Sequence, residues 1–397
     1  MAVGILFFVL AVSVLLAGGI YLFVNKANNV KRKLADFILA NPASTAVVAC
    51  TLDERGEFVA DGHELFYNAE QPLVMASTMK VVVLAAYADA VVNGELDPGD
   101  RVPIADVERY YVPLTDGGAH VSGLKSVGIQ ADERGFARDQ AAAMTLDDLA
   151  RIMIYYSGNA ETDYLLARLG PDKMASVVQK AGLEHHSPIG LTLGPVLAIF
   201  NHKDPSFSMD LSQLASAGIP NGNASHLDRL TELYLHDQQW QASQIQFMNS
   251  VSREPVGGPD MWARQTAALQ LFPKGTAREY AQMMARIAAG RFISAQVSEI
   301  MQHKLEGVPS DWPLRAIFYH RHGTKDGVTA GVLTLASHAV PRRGPLRHQS
   351  RVVVVLTNGL SVEDWAEQLR YQGHYLLAID LAQATDVFDK LARVGLE

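Results

Sequence analysis

Hydrophobic and polar positions follow several distinct rhythms along this chain. From Ala2 to Val24 no charge interrupts "AVGILFFVLAVSVLLAGGIYLFV", a stretch long enough to cross a bilayer as a helix. A basic helical segment follows, "NNVKRKLADFILA". Then "STAVVACTLDERGEFVADG" sets apolar runs on either side of Asp53-Glu54-Arg55-Gly56, the pattern of a β-hairpin. Helical periodicity dominates after that. "PLVMASTMKVVVLAAYADA", residues 72–90, predicts a buried helix with Ser77 and Lys80 at its head. "MTLDDLARIMIYYSG" has Thr145 as N-cap, acids in its first turn and Gly158 as its stop. "ETDYLLARLG" and "PDKMASVVQKAG" predict further helices, the second opening at Pro171 and ending at Gly182.

Residues 203–272 change character. A Gly/Pro/Asn-rich entry, "SAGIPNGNAS", leads into polar helices with scattered aromatics, which reads as an inserted helical subdomain or lid. "GTAREYAQMMARIAAG" is again a capped helix. The chain closes with the strand-like "LRAIFYH", "VTAGVLTLA" and "RVVVVLTNG" and one long helical stretch from Ser361 onward. Strands at both ends with helices between predict an α+β fold: one antiparallel sheet formed by the two termini together, carrying an all-helical insertion. Such a sheet leaves a cleft between its edge strand and the helical half. The expected organisation is a membrane or signal segment over 1–25, a juxtamembrane helix over 26–43, and one domain over 44–397 with the insertion at about 203–272.

Charge and cysteine usage narrow the classes. The net charge of -8 opposes a nucleic-acid partner, which asks for a basic face. The single cysteine, Cys50, excludes an internal disulfide and any multi-cysteine zinc site, and reads as a small buried apolar residue. At the N-terminus, basic residues follow the apolar stretch (Lys26, Lys31, Arg32, Lys33) rather than precede it, and no cysteine follows to accept lipid. A retained anchor is therefore preferred over a cleaved signal.

Ser77 and Lys80 stand one helical turn apart, so the lysine stem lies against the serine on one face. At the helix N-terminus the serine feels the positive end of the dipole, which favours a developing oxyanion. Burial of the following apolar run would desolvate Lys80 and free it to accept a proton. The alternative is a serine cap followed by a snorkelling lysine.

Two further segments weigh against that alternative: Ser157-Gly158-Asn159 and Arg321-His322-Gly323-Thr324. With them the chain resembles the class A β-lactamase and penicillin-binding serine hydrolases, whose signatures are S-x-x-K, S-D-N and K-T-G in that order. The resemblance takes in "VPIADVERYYVPLTDGG", "MTLDDL" and "GTAREYAQMMARIAAG" as well. It implies that Ser77 is the acylated nucleophile and Lys80 its proton acceptor or the organiser of one. Ser157 would pass a proton to the leaving group, and Asn159 would bind the substrate amide. Arg321, with His322 and Gly323, would hold a substrate carboxylate, and the backbone N–H of Thr324 would complete an oxyanion hole with that of Ser77. No metal or cofactor is implied.

The departures are equally specific. Gly158 stands where the family has an aspartate. The third motif has two registers: Arg321-His322-Gly323, preferred because Gly323, Thr324, Asp326, Gly327 and Val328 then all fall in place, or Lys325-Asp326-Gly327. Arginine delivers its cation as a fork, and His322 brings a group able to titrate near neutrality. The loop glutamate that clears the acyl-enzyme in class A β-lactamases has no counterpart in "AGLEHHSPIGLTLGPVLAIFNHKD"; Glu184, His185 and His186 are the nearby polar residues.

The expected activity is acyl-enzyme formation on an amide, β-lactam or ester. The alternatives are a D,D-peptidase or transpeptidase acting on cell-wall peptides, and a non-catalytic penicillin- or peptidoglycan-binding sensor. The expected partners are a small-molecule or peptide substrate and the membrane. The expected location is a single-pass anchor in the cell membrane with the domain in the periplasm, although the positive-inside rule points the other way.

Overall fold

The computed structural model describes residues 25–204, 210–216, 220–221, 224–250, 258–307 and 315–393. Both ends of that span meet in one sheet of six strands: β1 (Thr45–Leu52), β2 (Phe58–Val59), β3 (Leu65–Tyr67), β4 (Tyr319–Thr329), β5 (Val332–Pro341) and β6 (Arg351–Thr357). The order is β4-β5-β6-β1-β2, with β3 also on β1. Every pairing is antiparallel. β1 and β6 read as unbroken apolar runs because both faces of the sheet are covered, and every residue of each is buried. Alternation then divides them: Ala46, Val48 and Cys50 enter one core, Val47 and Ala49 the other.

Among the helices are α1 (25–40), α2 (Lys80–Val92), α3 (Leu146–Tyr155), α4 (Asn159–Ala181), α5 (Leu193–Ile199), α6 (His226–His236), α7 (Gln238–Ser250), α8 (Gly258–Ala267), α9 (Ala277–Ala288), α10 (Ala295–Glu306) and α11 (Gly373–Gln383). On one face of the sheet α2 is buried from Lys80 through Ala90 and packs among α3, α4, α9 and α10. Thr145 caps α3 in a full capping box with Asp148. On the other face α1 and α11 close the second core through Leu34, Ile38, Leu377 and Leu381. A third core joins α5 to α6, α7 and α8 through Leu197, Leu230, Tyr234, Trp240 and Met261. The α+β architecture thus follows the expected plan.

Two local expectations are revised. β4 is a single strand from Tyr319 to Thr329, and the strand-like "LRAIFYH" is helical over Arg315–Phe318 before it. At the sheet edge it pairs on one side only, and packing buries His322, Thr324 and Lys325. The last helical stretch divides at Gln372, Ala384 and Asp386, all with positive φ.

The anchor and the periplasmic location are corrected. Among the described residues no helix is long and apolar enough to cross a membrane; the apolar stretch 2–24 lies outside the described residues. The basic residues taken as the flank of a span belong to α1, where they are used within the domain. Lys26 and Lys33 pair with Glu367, and Lys31 pairs with Asp380 and Asp386. Val30, Leu34 and Ile38 of the same helix are fully buried.

Candidate active site

Ser77 lies in the 3-10 turn Ala76–Met79 that leads directly into α2. The turn is tied to the sheet by Thr334 of β5, whose hydroxyl donates to Met75 O (2.8 Å) and accepts from Thr78 Oγ1 (2.8 Å). Ala76 holds a left-handed φ of 45° just before the serine. For a residue with a Cβ that costs on the order of 1 kcal/mol, a strain typical of functional turns.

Lys80 is fully buried. Its Nζ donates to Ser157 O (2.5 Å) and Asn159 Oδ1 (2.8 Å) and lies 3.3 Å from Ser157 Oγ. Burial, reinforced by the Lys325 ammonium, pulls its pKa down to about 7, against the opposing pull of Asp163, Asp116 and Glu161. A neutral amine has two N–H groups and one lone pair. The two carbonyl oxygens take the N–H groups and leave the lone pair for a serine hydroxyl. Ser157 itself adopts φ 70°, which turns its carbonyl onto Lys80. The structure therefore brings Ser77, Lys80, Ser157 and Asn159 to one place, and Ser77, Lys80 and Asn159 line one cleft of about 100 Å³.

The third motif does not arrive in the preferred register. Arg321 bonds Glu306 (2.7 Å) and Ala288 O (2.9 Å). His322 is buried, its ring stacked on Tyr319 at 4.4 Å. Burial, with Arg315 and His338 nearby, holds its pKa well below the ordinary value, so it stays neutral rather than titrating near neutrality. Gly323 backs onto His338, and Thr324 directs its hydroxyl to Ala336 O. None of these four lines the cleft.

The strand residues that reach Ser77 lie further on. Gly327 backs directly onto the serine turn, and Val328 and Thr329 line the cleft. The hairpin sets this spacing. Thr329 and Val332 flank a two-residue turn, so they form a hydrogen-bonded pair, as do Gly327 with Thr334 and Lys325 with Ala336. The N–H groups of Val328, Asp326 and Thr324 then point off the open edge. Thr324 is four positions, or about 13 Å, back from Val328. Lys325 is the buried cation beside Lys80, bonded to Asp326 O (2.9 Å) and Oδ1 (3.3 Å). Burial alone would raise the Asp326 carboxyl, but Lys325 and His374 hold it well below the usual carboxylate range.

Glu184, His185 and His186 are not at the cleft. Glu184 is exposed. His185 bonds Glu279 (3.0 Å), and His186 bonds Tyr280 Oη (2.9 Å) and Ser187 O (2.7 Å). The 191–199 segment reaches the cleft instead through Thr192, Val196 and Ile199.

Sequence reasoning missed two buried acidic groups. Asp163 of α4 accepts from Thr192 N (2.7 Å), Thr192 Oγ1 (3.0 Å) and Leu193 N (2.8 Å), anchoring that segment. Burial pushes its pKa up to about 7 despite those donors. Glu161 and His120 form a buried pair at 2.7 Å, extended by Glu108 at 3.3 Å. Sequence separations this large leave no local signature.

The insertion also shapes the site. Gln265 and Phe272 form part of the cleft wall. Arg264 of α8 donates to Ile199 O (2.8 Å) and Ala198 O (2.9 Å), and Tyr234 of α6 donates to Tyr111 O. Next door lies a larger cavity of about 610 Å³ that shares Thr192, Phe272 and Pro273 with the cleft.

Residues 29–208 match the model of the β-lactamase enzyme family. No curated protein matches the chain. Similar solved structures include a β-lactamase from Sphaerobacter thermophilus, with 16% identity over 89% of this chain and 98% of that one and a TM-score of 0.49. PBP-A has 14% identity over 91% and 96%, with a TM-score of 0.48. A β-lactamase from Chitinophaga pinensis has 13% identity over 87% and 97%, with a TM-score of 0.48. The segment 29–208, which carries Ser77, Lys80, Ser157 and Asn159, is thus similar in sequence to the β-lactamase enzyme family.

Proposed function

We propose that this protein is a serine hydrolase that forms an acyl-enzyme on Ser77 with an amide, β-lactam or ester. The observation that carries this reading is Lys80. A lysine with no exposed surface, a pKa near neutrality and its N–H groups occupied by Ser157 and Asn159 is a base rather than a structural cation. In the first step Ser77 Oγ attacks the acyl carbon while its proton moves to Lys80 Nζ. The carbonyl π-electrons move to oxygen, and that oxyanion is met by the N–H groups of Ser77 and Val328. The C–N or C–O bond then breaks, and Ser157 relays the proton from Lys80 to the leaving atom. Lys325 supplies the cation for a carboxylate on the substrate, the role first assigned to Arg321.

The test is labelling with a fluorescent penicillin and, separately, a fluorophosphonate. Wild type is expected to be labelled and Ser77→Ala not. No labelling of wild type by either probe, or equal labelling of Ser77→Ala, rejects the assignment.

One observation favours slow turnover, as in a penicillin-binding protein. Apart from Lys80, which the acylation step uses, no Asp, Glu or His is among the described residues that line the cleft, so no separate carboxylate or imidazole is placed to activate water on the ester. The adduct is then expected to persist for hours by intact-mass spectrometry. Loss within minutes would argue for an efficient β-lactamase instead.

A further inference from the structure

The loop that carries Ser157 lacks a side chain at 158, and the space beside it is filled from the next helical turn. A Cβ built on Gly158 would stand 1.9 Å from Glu161 Oε2 and 2.8 Å from Glu161 Cδ. Glu161 has no exposed surface. Its Oε1 lies 2.7 Å from His120 Nδ1, and His120 Nε2 lies 3.3 Å from Glu108 Oε1. Glu108 in turn accepts from Gln140 Nε2 (2.8 Å) and Ala137 N. The His120 amide donates to Asp116 Oδ2 (2.8 Å), and the Tyr111 ring lies 4.4 Å from the imidazole. The carboxylate is therefore held through Oε1 by an imidazole that is itself fixed, while its buried Oε2 has no hydrogen-bond partner and lies beside Gly158.

We infer that Glu161, held by His120, is the positioning residue of the Ser157 loop, its carboxylate bracing residue 158 from the following turn and fixing the electrostatics around Lys80. Two consequences follow from the geometry. The loop and Glu161 compete for one volume, so a side chain at 158 is tolerated only if Glu161 gives way. The second consequence is electrostatic. The charged groups acting on Lys80 are Lys325 from β4, Asp163 and Glu161 from α4, and Asp116 from the loop before His120. Removing the Glu161 charge leaves Lys80 less stabilised as a cation. His120, whose pKa burial alone would lower but which Glu161 and Glu108 raise to about 10, loses its main anionic partner in Glu161→Gln, and any loss of its positive charge offsets part of the change at Lys80. Asp116, whose pKa burial raises and the Glu161 charge raises further, moves down without that charge and offsets part of the change.

The pH arm of the test rests on the acyl-enzyme reading above; the thermal arm does not. The second-order rate of labelling by fluorescent penicillin is measured against pH for wild type and Glu161→Gln. The midpoint of Glu161→Gln is expected to move to lower pH by about half a unit, a change that loss of packing alone would not produce. Gly158→Asp is expected to lower the melting temperature and to slow labelling at least tenfold. Adding Glu161→Ala to it lets the aspartate enter the vacated space beside His120 and restores most of both losses. Superimposable pH profiles, or a Gly158→Asp/Glu161→Ala pair as impaired as Gly158→Asp, would overturn the inference. If wild type is not labelled at all, the acyl-enzyme reading fails, and the melting temperatures of wild type, Gly158→Asp and Gly158→Asp/Glu161→Ala still decide the positioning role.

Discussion

Gly327 and Ser77 are in backbone contact: a Cβ on Gly327 would stand 2.8 Å from the Ser77 nitrogen and 2.7 Å from Met75 O. Neither atom can rotate away, because the serine turn is tied to β5 through Thr334. The glycine is needed here for close approach rather than for its dihedral freedom. In the proposed acylation it lets the edge strand present the Val328 N–H to the oxyanion that the Ser77 N–H also meets.

Gly327→Ala therefore pushes the strand off the serine turn and separates the two donors. Losing one oxyanion donor costs roughly a hundredfold or more in rate. Labelling by fluorescent penicillin is expected to fall by about that factor while the circular dichroism spectrum is kept. A rate within threefold of wild type would show that the two N–H groups do not act together.

The register of the third motif gives a paired prediction. Lys325→Ala removes the buried cation beside Lys80 and is expected to weaken carboxylate-bearing probes at least tenfold, with a smaller effect on a neutral fluorophosphonate. Arg321→Ala removes a partly exposed contact to Glu306 and is expected to cost about 1 kcal/mol of stability and little affinity. Inhibition constants for matched carboxylate and ester ligands check both; the reverse ranking would return the motif to Arg321.

These residues also mark what could be read in advance. The serine turn with α2, and Ser157 and Asn159 at the start of α4, are local patterns, and a few residues of sequence reveal them. The pairing of 45–52 with 351–357 was accessible because both runs are apolar on both faces. The third motif was misplaced because letter matching weighs Gly323 and Gly327 alike. Counting back from the two-residue turn before Val332 would have placed Gly327, not Gly323, beside the serine. The His120–Glu161 pair could not be found this way. Its partners lie on separate elements, and burial alone turns an ordinary helix glutamate into part of the site.

Lys80 predicts the pH dependence. With its pKa near 7, the fraction of neutral amine rises through neutrality, so the labelling rate should climb between pH 6 and 8 and level off above. Lys80→Arg, permanently charged, should be inactive throughout. The same shift acts on stability. Between about 7 and the ordinary lysine value the unfolded chain holds a proton that the folded chain does not, so stability rises with pH across that window. Lys80→Met removes the charge and should raise the melting temperature more at pH 6 than at pH 9. A flat rate profile, or a stabilisation independent of pH, would contradict the neutral-amine assignment.

Arg264 connects the insertion to the cleft. It is 1% exposed, donates to the carbonyls of Ala198 and Ile199 at the end of α5, and pairs with Asp204 at 3.4 Å. Ile199, whose carbonyl it holds, lines the cleft with Ser77, as does the next residue, Phe200. Arg264→Ala leaves two buried carbonyls and a carboxylate with fewer partners, at a cost of about 3 kcal/mol. Arg264→Lys keeps the charge but cannot span both carbonyls as a planar fork, so it should recover only part of that loss. Labelling at Ser77 should slow in parallel with stability in both variants, because the same contact holds the fold of α5 and the wall of the cleft. Urea unfolding and probe kinetics on the same samples test this; full stability with slowed labelling, or the converse, would separate the insertion from the site.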